Sequence, residues 1–349
     1  MQWMIYGANG YTGRLIAKEA RQRGLQPILA GRNAEAVQAL ATELGLQWRV
    51  FDLDRSEDMQ AGLRGIGLVL HCAGPFSATA AQMLEACFAA KAHYLDITGE
   101  VDVFAYCHAQ DARAKQAGIV VLPGAGFDVV PTDCLAAMLK RELPQAESLV
   151  LAFDAGGGFS PGTAKTSVEG LGKGGRVRKE GVLQRVPLAW KSRTFEREGQ
   201  ARTAMTIPWG DVYTAFVSTG IPDIEVYTMV PPSSIARIRR LRVLGPLLSW
   251  GPVQAFLKRR VEKNVRGPSE QTRAATQTWL WGEARGGGRE AKLQLRTPNG
   301  YALTVTAALG IVEHLLQREV APGYYTPSLL MGAEYVLSLP GVSRVQVPA

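Results

Sequence analysis

An α/β fold in two parts is predicted: a parallel-sheet domain first, then an α+β domain with a mixed or antiparallel sheet. Three observations carry this. From residue 2 to about 143, short apolar runs alternate with stretches of helical periodicity, the pattern of successive βαβ units. From residue 149 onward the apolar runs crowd together and are punctuated by glycine, as hairpins are. The chain has 349 residues, 46% hydrophobic and 20% charged, which is enough ordinary globular sequence for two cores. Boundaries are expected at 1–135 for the first domain and 136–320 for the second. Residues 321–349 are expected to form C-terminal helices that pack back on the first domain.

The first element, QWMIY at 2–6, reads as a buried strand. GANGYTG at 7–13 and a helical run to about residue 23 follow it. A glycine pattern is weak alone, but between a strand and a helix it has a physical meaning. Gly7 permits the tight turn, Gly10 lets backbone approach a pyrophosphate, and Gly13 removes a side chain where helix meets strand. Phosphates would then meet the free N–H groups of the helix start. This is the Rossmann-type arrangement for a dinucleotide, and a bare structural turn is the alternative.

PILAGR at 27–32 is the second strand. Where a NAD site usually places an acid for the ribose 2′-hydroxyl, this chain has Gly31 and Arg32. Arg32 can pair bidentately with a 2′-phosphate, which points to NADP(H). WRVFDLD at 48–54 is the third strand. Asp52 and Leu53 are candidates to line the adenine pocket, with helix capping by Asp54 or Ser56 as the competing reading. GLVLHCAG at 67–74 is a doubly buried parallel strand, whose following loop Gly74-Pro75-Phe76 would run beside the second ribose and nicotinamide. Strands at 93–100 and 119–124, with helices at 78–90 and 102–117, bring the expected sheet to six parallel strands.

GAGFDVVPTD at 124–133 is a second glycine loop at the same sheet edge. Pro131 and Thr132 open the next helix, and Asp133 suits its first turn. Asp128 lies between the turn and the helix, as an Asx turn, a cap or a group near the reacting atoms. In the second half, strands are expected at 149–155, 203–207, 212–219, 223–230, 274–283 and 289–297, with a helix at 302–317 and a last helix within 324–342. GGGFSPGTAKTS after the first of these strands feeds a helix start carrying Thr163, Lys165, Thr166 and Ser167. That helix start is a candidate anion site; a flexible crossover is the alternative.

Composition excludes several classes. Four cysteines and four histidines form no CxxC pair and no zinc spacing, so no metal site is expected. The opening residues carry no secretion signal, and no apolar run is long enough to span a bilayer, so a cytoplasmic location is expected. The formal net charge is +8, and most of it is local: 235–263 holds eight basic residues and one acid, Glu262. Nucleic acid is therefore not an expected partner. The segment reads as two amphipathic helices with basic flanks. It serves as a lid or anionic-lipid surface, as a homodimer contact, or as a solvated pair whose leucines enter the core.

GANGYTG, AGR at 30–32, CAGPF at 72–76, YLDITGE at 94–100 and PGAGFDVVPTD at 123–133 together resemble the saccharopine dehydrogenase-like oxidoreductases. GTAKTS at 162–167 and PGYYTPSLLMG at 322–332 extend the resemblance. It implies a Rossmann domain, an inserted α+β domain and use of NAD(P)(H), and it is nearest the family's uncharacterised reductases. Carried over residue by residue, Gly7, Asn9, Gly10, Tyr11, Thr12 and Gly13 surround the pyrophosphate. Arg32 sits at the 2′-phosphate, and Ala73, Gly74 and Phe76 lie near the ribose and nicotinamide. For the proton that accompanies a hydride, Tyr94, Asp96, Glu100, Asp128 and Lys165 are candidates, with Asp128 and Lys165 first as catalytic residues. Cys72 reads as core packing. The function expected is an NADP(H)-dependent oxidoreductase acting on a small-molecule substrate of apolar or lipid-like character. Alternatives are a saccharopine-type amino-acid dehydrogenase, a non-redox enzyme that uses the cofactor transiently, and a cofactor-binding regulatory or scaffold protein without turnover.

Overall fold

Apolar runs this short, with no polar alternation, imply strands covered on both faces. A computed structural model, which describes residues 1–346, shows that arrangement in the first half. Residues 347–349, the end of the expected C-terminal segment, lie outside the described residues. The strands are, in order, β1 (Trp3–Tyr6), β2 (Ile28–Gly31), β3 (Trp48–Val50), β4 (Leu68–His71), β5 (His93–Asp96), β6 (Val120–Leu122), β7 (Ser148–Ala155) and β8 (Gly175–Lys179). They continue as β9 (Val182–Val186), β10 (Ser192–Arg197), β11 (Gln200–Thr206), β12 (Asp223–Met229), β13 (Gln277–Gly286), β14 (Arg289–Pro298), β15 (Gly323–Tyr324) and β16 (Ser343–Val345).

The first sheet has seven strands in the order β15-β6-β5-β4-β1-β2-β3, and every pairing is parallel. Ile5 pairs with Leu29 on one side and Leu70 on the other, and all residues of β1, β2 and β4 are buried. That double burial is why their sequences read as continuous apolar runs. The strand order reverses at β1–β4, the switch point where open α/β sheets bind ligands. The helix Tyr11–Gln22 turns Gly13, Ile16, Ala17 and Ala20 inward, a single stripe at helical spacing. The helix Ala34–Leu44 is capped by Asn33, whose Oδ1 accepts from Ala36 N at 3.0 Å, and it stops at Gly45 in the left-handed region.

The second sheet has nine strands, seven in the order β10-β11-β12-β7-β13-β14-β16, with β8 pairing β12 and β9. It is mixed: β12 and β7 are parallel and the other pairings are antiparallel. Its core gathers Ala152, Phe195, Ala204, Tyr227, Trp279 and Trp281. The β13–β14 hairpin turns at Gly287 and Gly288, both with positive φ, as the triple glycine predicts.

The structure departs from the sequence reading in definite places. Residues 212–219, expected as a strand because VYTAFVST is β-branched and aromatic, form the helix Asp211–Thr219. Asp211 stands in its first turn and Gly220 ends it at φ 69, end signals that outweigh a propensity. Strands β8, β9 and β10 were not expected. Their turns, Glu180-Gly181 and Glu198-Gly199, take positive φ at both residues, the geometry of a two-residue hairpin without its usual Asn or Asp. β15 adds a seventh strand to the first sheet. The expected last helix is broken at Gly332 (φ 90) into Pro327–Met331 and Tyr335–Ser338, and β16 then pairs with β14.

By its contacts the chain divides into two compact units. Unit 1 is Met1–Val130 with Tyr301–Met331, and unit 2 is Pro131–Gly300 with the chain from Gly332. Helix Gly300–Gln317, assigned by sequence to the second domain, thus lies almost wholly in unit 1, where Thr304 Oγ1 accepts from Phe127 N at 2.9 Å.

Candidate functional site

The residues after β1 form a tight cradle. Gly7 has φ 81, and a Cβ there would sit 2.8 Å from Ala73 N. A Cβ on Gly13 would sit 2.3 Å from Gly7 O, so only glycine lets the helix start so close to β1. The Gly10 N–H closes the turn onto Gly7 O at 3.0 Å, and Arg14 N returns to Gly10 O. Gly10 is the N-cap of Tyr11–Gln22, and no side chain caps that helix. The N–H groups of Thr12 and Gly13 in the first turn are therefore left by helix geometry without an intrahelical acceptor. Asn9 Oδ1 lies 3.0 Å from where a Cβ on Gly31 would be, which brings it against the end of β2. The Tyr11 ring meets Tyr301 edge-on at 5.0 Å.

Arg32 follows β2, is exposed, and makes no hydrogen bond or salt bridge among the described residues. No carboxylate occupies the end of β2; Asn33, next in line, is used as a cap. Asp52 is half-buried and its Oδ1 accepts from Leu53 N at 2.7 Å, a local turn. Leu53 is buried, and the helix Ser56–Gly62 has no side-chain cap, so neither Asp54 nor Ser56 caps it.

The loop after β4 is held from three sides. His71, fully buried, stands 2.9 Å from Thr79 Oγ1 through Nε2. Thr79 donates its own proton to Ala73 O at 2.7 Å, so His71 carries its hydrogen on Nε2. Burial pushes the His71 pKa down to about 3, so the ring is neutral. The Glu100 carboxylate accepts Phe76 N on Oε1 and Ser77 N on Oε2, each at 2.8 Å. The Gly74–Pro75 peptide is cis, and Phe76 is buried against His71 with rings at 90°.

Asp96, at the end of β5, is fully buried. It accepts from Tyr94 OH at 2.7 Å and from Thr98 N and Gly124 N at 2.9 Å each. Burial raises it to about 6 despite these bonds. Tyr94 and Asp96 thus serve each other and tie β5 to the Gly124 loop. Asp128 differs. Its Oδ2 lies 2.7 Å from where a Cβ on Gly99 would be, and no hydrogen bond from a described residue reaches it. It is neither an Asx turn nor a cap. Desolvation, with the nearby Glu100 charge second, pushes it up to about 7.

Lys165 belongs to unit 2 and is ion-paired with Glu262. Its helix, Pro161–Lys173, is capped by Ser160 Oγ, which accepts from Thr163 N at 3.2 Å. The helix start seen as a candidate anion site therefore has its own cap. Burial raises the Cys72 thiol far above its ordinary range, which agrees with packing rather than reactivity. Sequence reasoning missed the two-pronged grip of Glu100 and the Thr304 hydroxyl under Phe127. The first lay in ITGE without any signal of its partner, and the second comes from residues far along the chain. Also in unit 2, an apolar cavity of about 200 Å³ lies among Leu171, Leu188, Ile238, Leu241 and Leu248. No helix among the described residues is long and apolar enough to cross a membrane.

Against known proteins, residues 3–122 match the saccharopine dehydrogenase NADP binding domain. A putative trans-acting enoyl reductase of Mycobacterium tuberculosis is 30% identical over 190 residues, 48% of this chain and 43% of that protein. The saccharopine dehydrogenase-like oxidoreductase of Mus musculus is 23% identical over 204 residues, 50% of this chain and 47% of that protein. The chain thus spans about half the length of the curated relatives it matches. Saccharopine dehydrogenase (L-Glu forming) of Saccharomyces cerevisiae shares the fold, with a TM-score of 0.68 at 11% identity over 99% of this chain and 100% of that one. By the glycine cradle, the seven-stranded parallel sheet and these likenesses, the chain matches the saccharopine dehydrogenase-like oxidoreductases at low identity, with a Rossmann domain of the kind that binds a nicotinamide nucleotide.

Proposed function

We propose that the chain is an NADP(H)-dependent oxidoreductase whose substrate is an apolar or lipid-like small molecule. The observation that carries it is the pairing of an uncapped helix start behind Gly7–Gly13 with an unpaired Arg32 and no acid at the end of β2. The cradle fits a dinucleotide: a Cβ on Gly7 or Gly13 would strike backbone, whereas Gly10 has only Gly7 O nearby, at 3.2 Å. When bound, the nicotinamide nucleotide would give or take a hydride at C4. The first-turn N–H groups would hold the pyrophosphate, with Asn9 and Thr12 beside them, and Arg32 would face the 2′-phosphate. Asp52 and Leu53 would border the adenine. Ala73, Gly74 and Phe76, held by Thr79 and Glu100, would border the nicotinamide side.

Asp128 is the proton-handling residue in this reading. A carboxyl near 7 that no hydrogen bond from a described residue reaches is protonated in about half the molecules at neutral pH, as a general acid or base should be. Lys165, held by Glu262, is the weaker candidate. The apolar cavity of unit 2 supports an apolar substrate. The four unpaired cysteines support a cytoplasmic setting. Quenching of the protein's tryptophan fluorescence by NADPH and NADH in parallel titrations tests the cofactor. NADPH should bind at least about tenfold tighter; equal affinity would remove the reading.

A further inference from the structure

We propose that the helical segment 232–264 docks unit 2 on an anionic lipid surface. The observation is a division of labour among its cations. On the helix Gly251–Asn264, Val253, Leu257 and Val261 face inward and Gln254 donates to Val168 O at 3.0 Å, so this face sits on the helix Pro161–Lys173. Lys258 on that side is paired with Glu169. The opposite face carries Phe256, Arg259, Arg260 and Lys263, spaced by three, four and seven, all exposed.

The helix Pro232–Leu241 repeats the arrangement. Ile235 is buried, and Arg239 and Arg242 donate to the carbonyls of Ala189 and Leu188. Arg237, Arg240 and Leu244 take the outward spacing, and all three are exposed. Between the two helices Leu247 and Trp250 are 52% and 60% exposed, and Phe256 is 61% exposed. Every inward cation named here is satisfied by protein. Arg237, Arg240, Arg259, Arg260 and Lys263 make no ion pair among the described residues. Glu262, the segment's one acid, is engaged by Lys165.

Large apolar side chains projecting outward among unpaired cations suit a bilayer interface: the aromatics and leucines enter the headgroup boundary while the basic groups meet anionic lipid. A second copy fits poorly, because a twofold contact would place this basic face on itself. Leu248 and Leu257 turn inward, but Leu244, Leu247, Trp250 and Phe256 stay exposed, so a solvated pair whose leucines enter the core does not describe the segment either.

Co-sedimentation of the full chain with phosphatidylcholine vesicles, with and without 30% phosphatidylserine, tests this, with heparin and duplex DNA as competitors. Binding to the anionic vesicles at least about tenfold above the neutral ones is expected. It should fall about tenfold or more both in Arg259→Glu/Arg260→Glu and in Trp250→Ser/Phe256→Ser. These sites are exposed, and circular dichroism checks that each variant is folded. Absence of vesicle binding would overturn the proposal. So would vesicle binding that ignores Trp250 and Phe256 and is displaced fully by DNA, the mark of a polyanion site. A native dimer that the same substitutions dissociate, with no vesicle binding, would overturn it in favour of a second copy.

Discussion

Glu100 accepts the backbone N–H of Phe76 at 2.8 Å, so a carboxylate after β5 holds the start of the loop after β4. Its other oxygen takes the Ser77 N–H. The same charge bears on Asp128. One acid therefore fixes the loop that would border the nicotinamide and tunes the group that would move the proton.

Glu100→Gln separates these effects. The amide keeps one acceptor and presents N–H to the other donor, so about 1–3 kcal/mol of stability should be lost in urea unfolding. With a like charge removed, Asp128 should titrate lower, and the pH–rate profile should move toward acid. An unmoved profile would mean that the Glu100 charge does not reach Asp128.

Asp128→Asn has a signed consequence for stability. The folded carboxyl holds its proton up to about 7, well above an unfolded Asp. Folding is favoured by that bound proton in acid, and the advantage is lost as pH rises from about 4 to about 7. The Asn variant should lack this loss and exceed the parent at pH 8, by roughly 2 kcal/mol given its partial exposure. If Asp128 supplies the proton, turnover should fall about a hundredfold or more while NADPH binding stays. Thermal melts between pH 4 and 8 read the first effect.

Gly13→Ala should damage fold and cofactor site together. Its Cβ would sit 2.3 Å from Gly7 O, and both are backbone-positioned, so the helix start must move off β1. A loss of about 1–3 kcal/mol is expected, with nucleotide binding weakened about tenfold or more. A variant as stable as the parent, with unchanged binding, would contradict the close packing.

Much of unit 1 was legible because β1, β2, β4 and β6 are buried on both faces and its turns need glycine. Gly7, Gly10 and Gly13 announce both a backbone path and a ligand edge. The absence of an acid at the end of β2 was legible, and the structure leaves Arg32 exposed there. Asp128 was singled out by its position between turn and helix. Its raised titration was not legible, because it depends on burial and on Glu100 in the loop after β5. Lys165 misled the reading of its helix start: Ser160 caps that helix, and Glu262, nearly a hundred residues away, takes the charge. β8 to β10 were hidden because Glu-Gly turns are uncommon and β9 is largely exposed, so no apolar alternation marks it. Helix Asp211–Thr219 shows the opposite failure, where β-branched content concealed end signals at Asp211 and Gly220.

The most direct test is calorimetric titration of the parent chain and Arg32→Ala with NADPH and NADH. Tighter NADPH binding in the parent, reduced about tenfold or more in the variant with NADH unchanged, is the predicted result. Equal loss for both nucleotides, or no change for either, would contradict the assignment of Arg32 to the 2′-phosphate and with it the NADP(H) dependence.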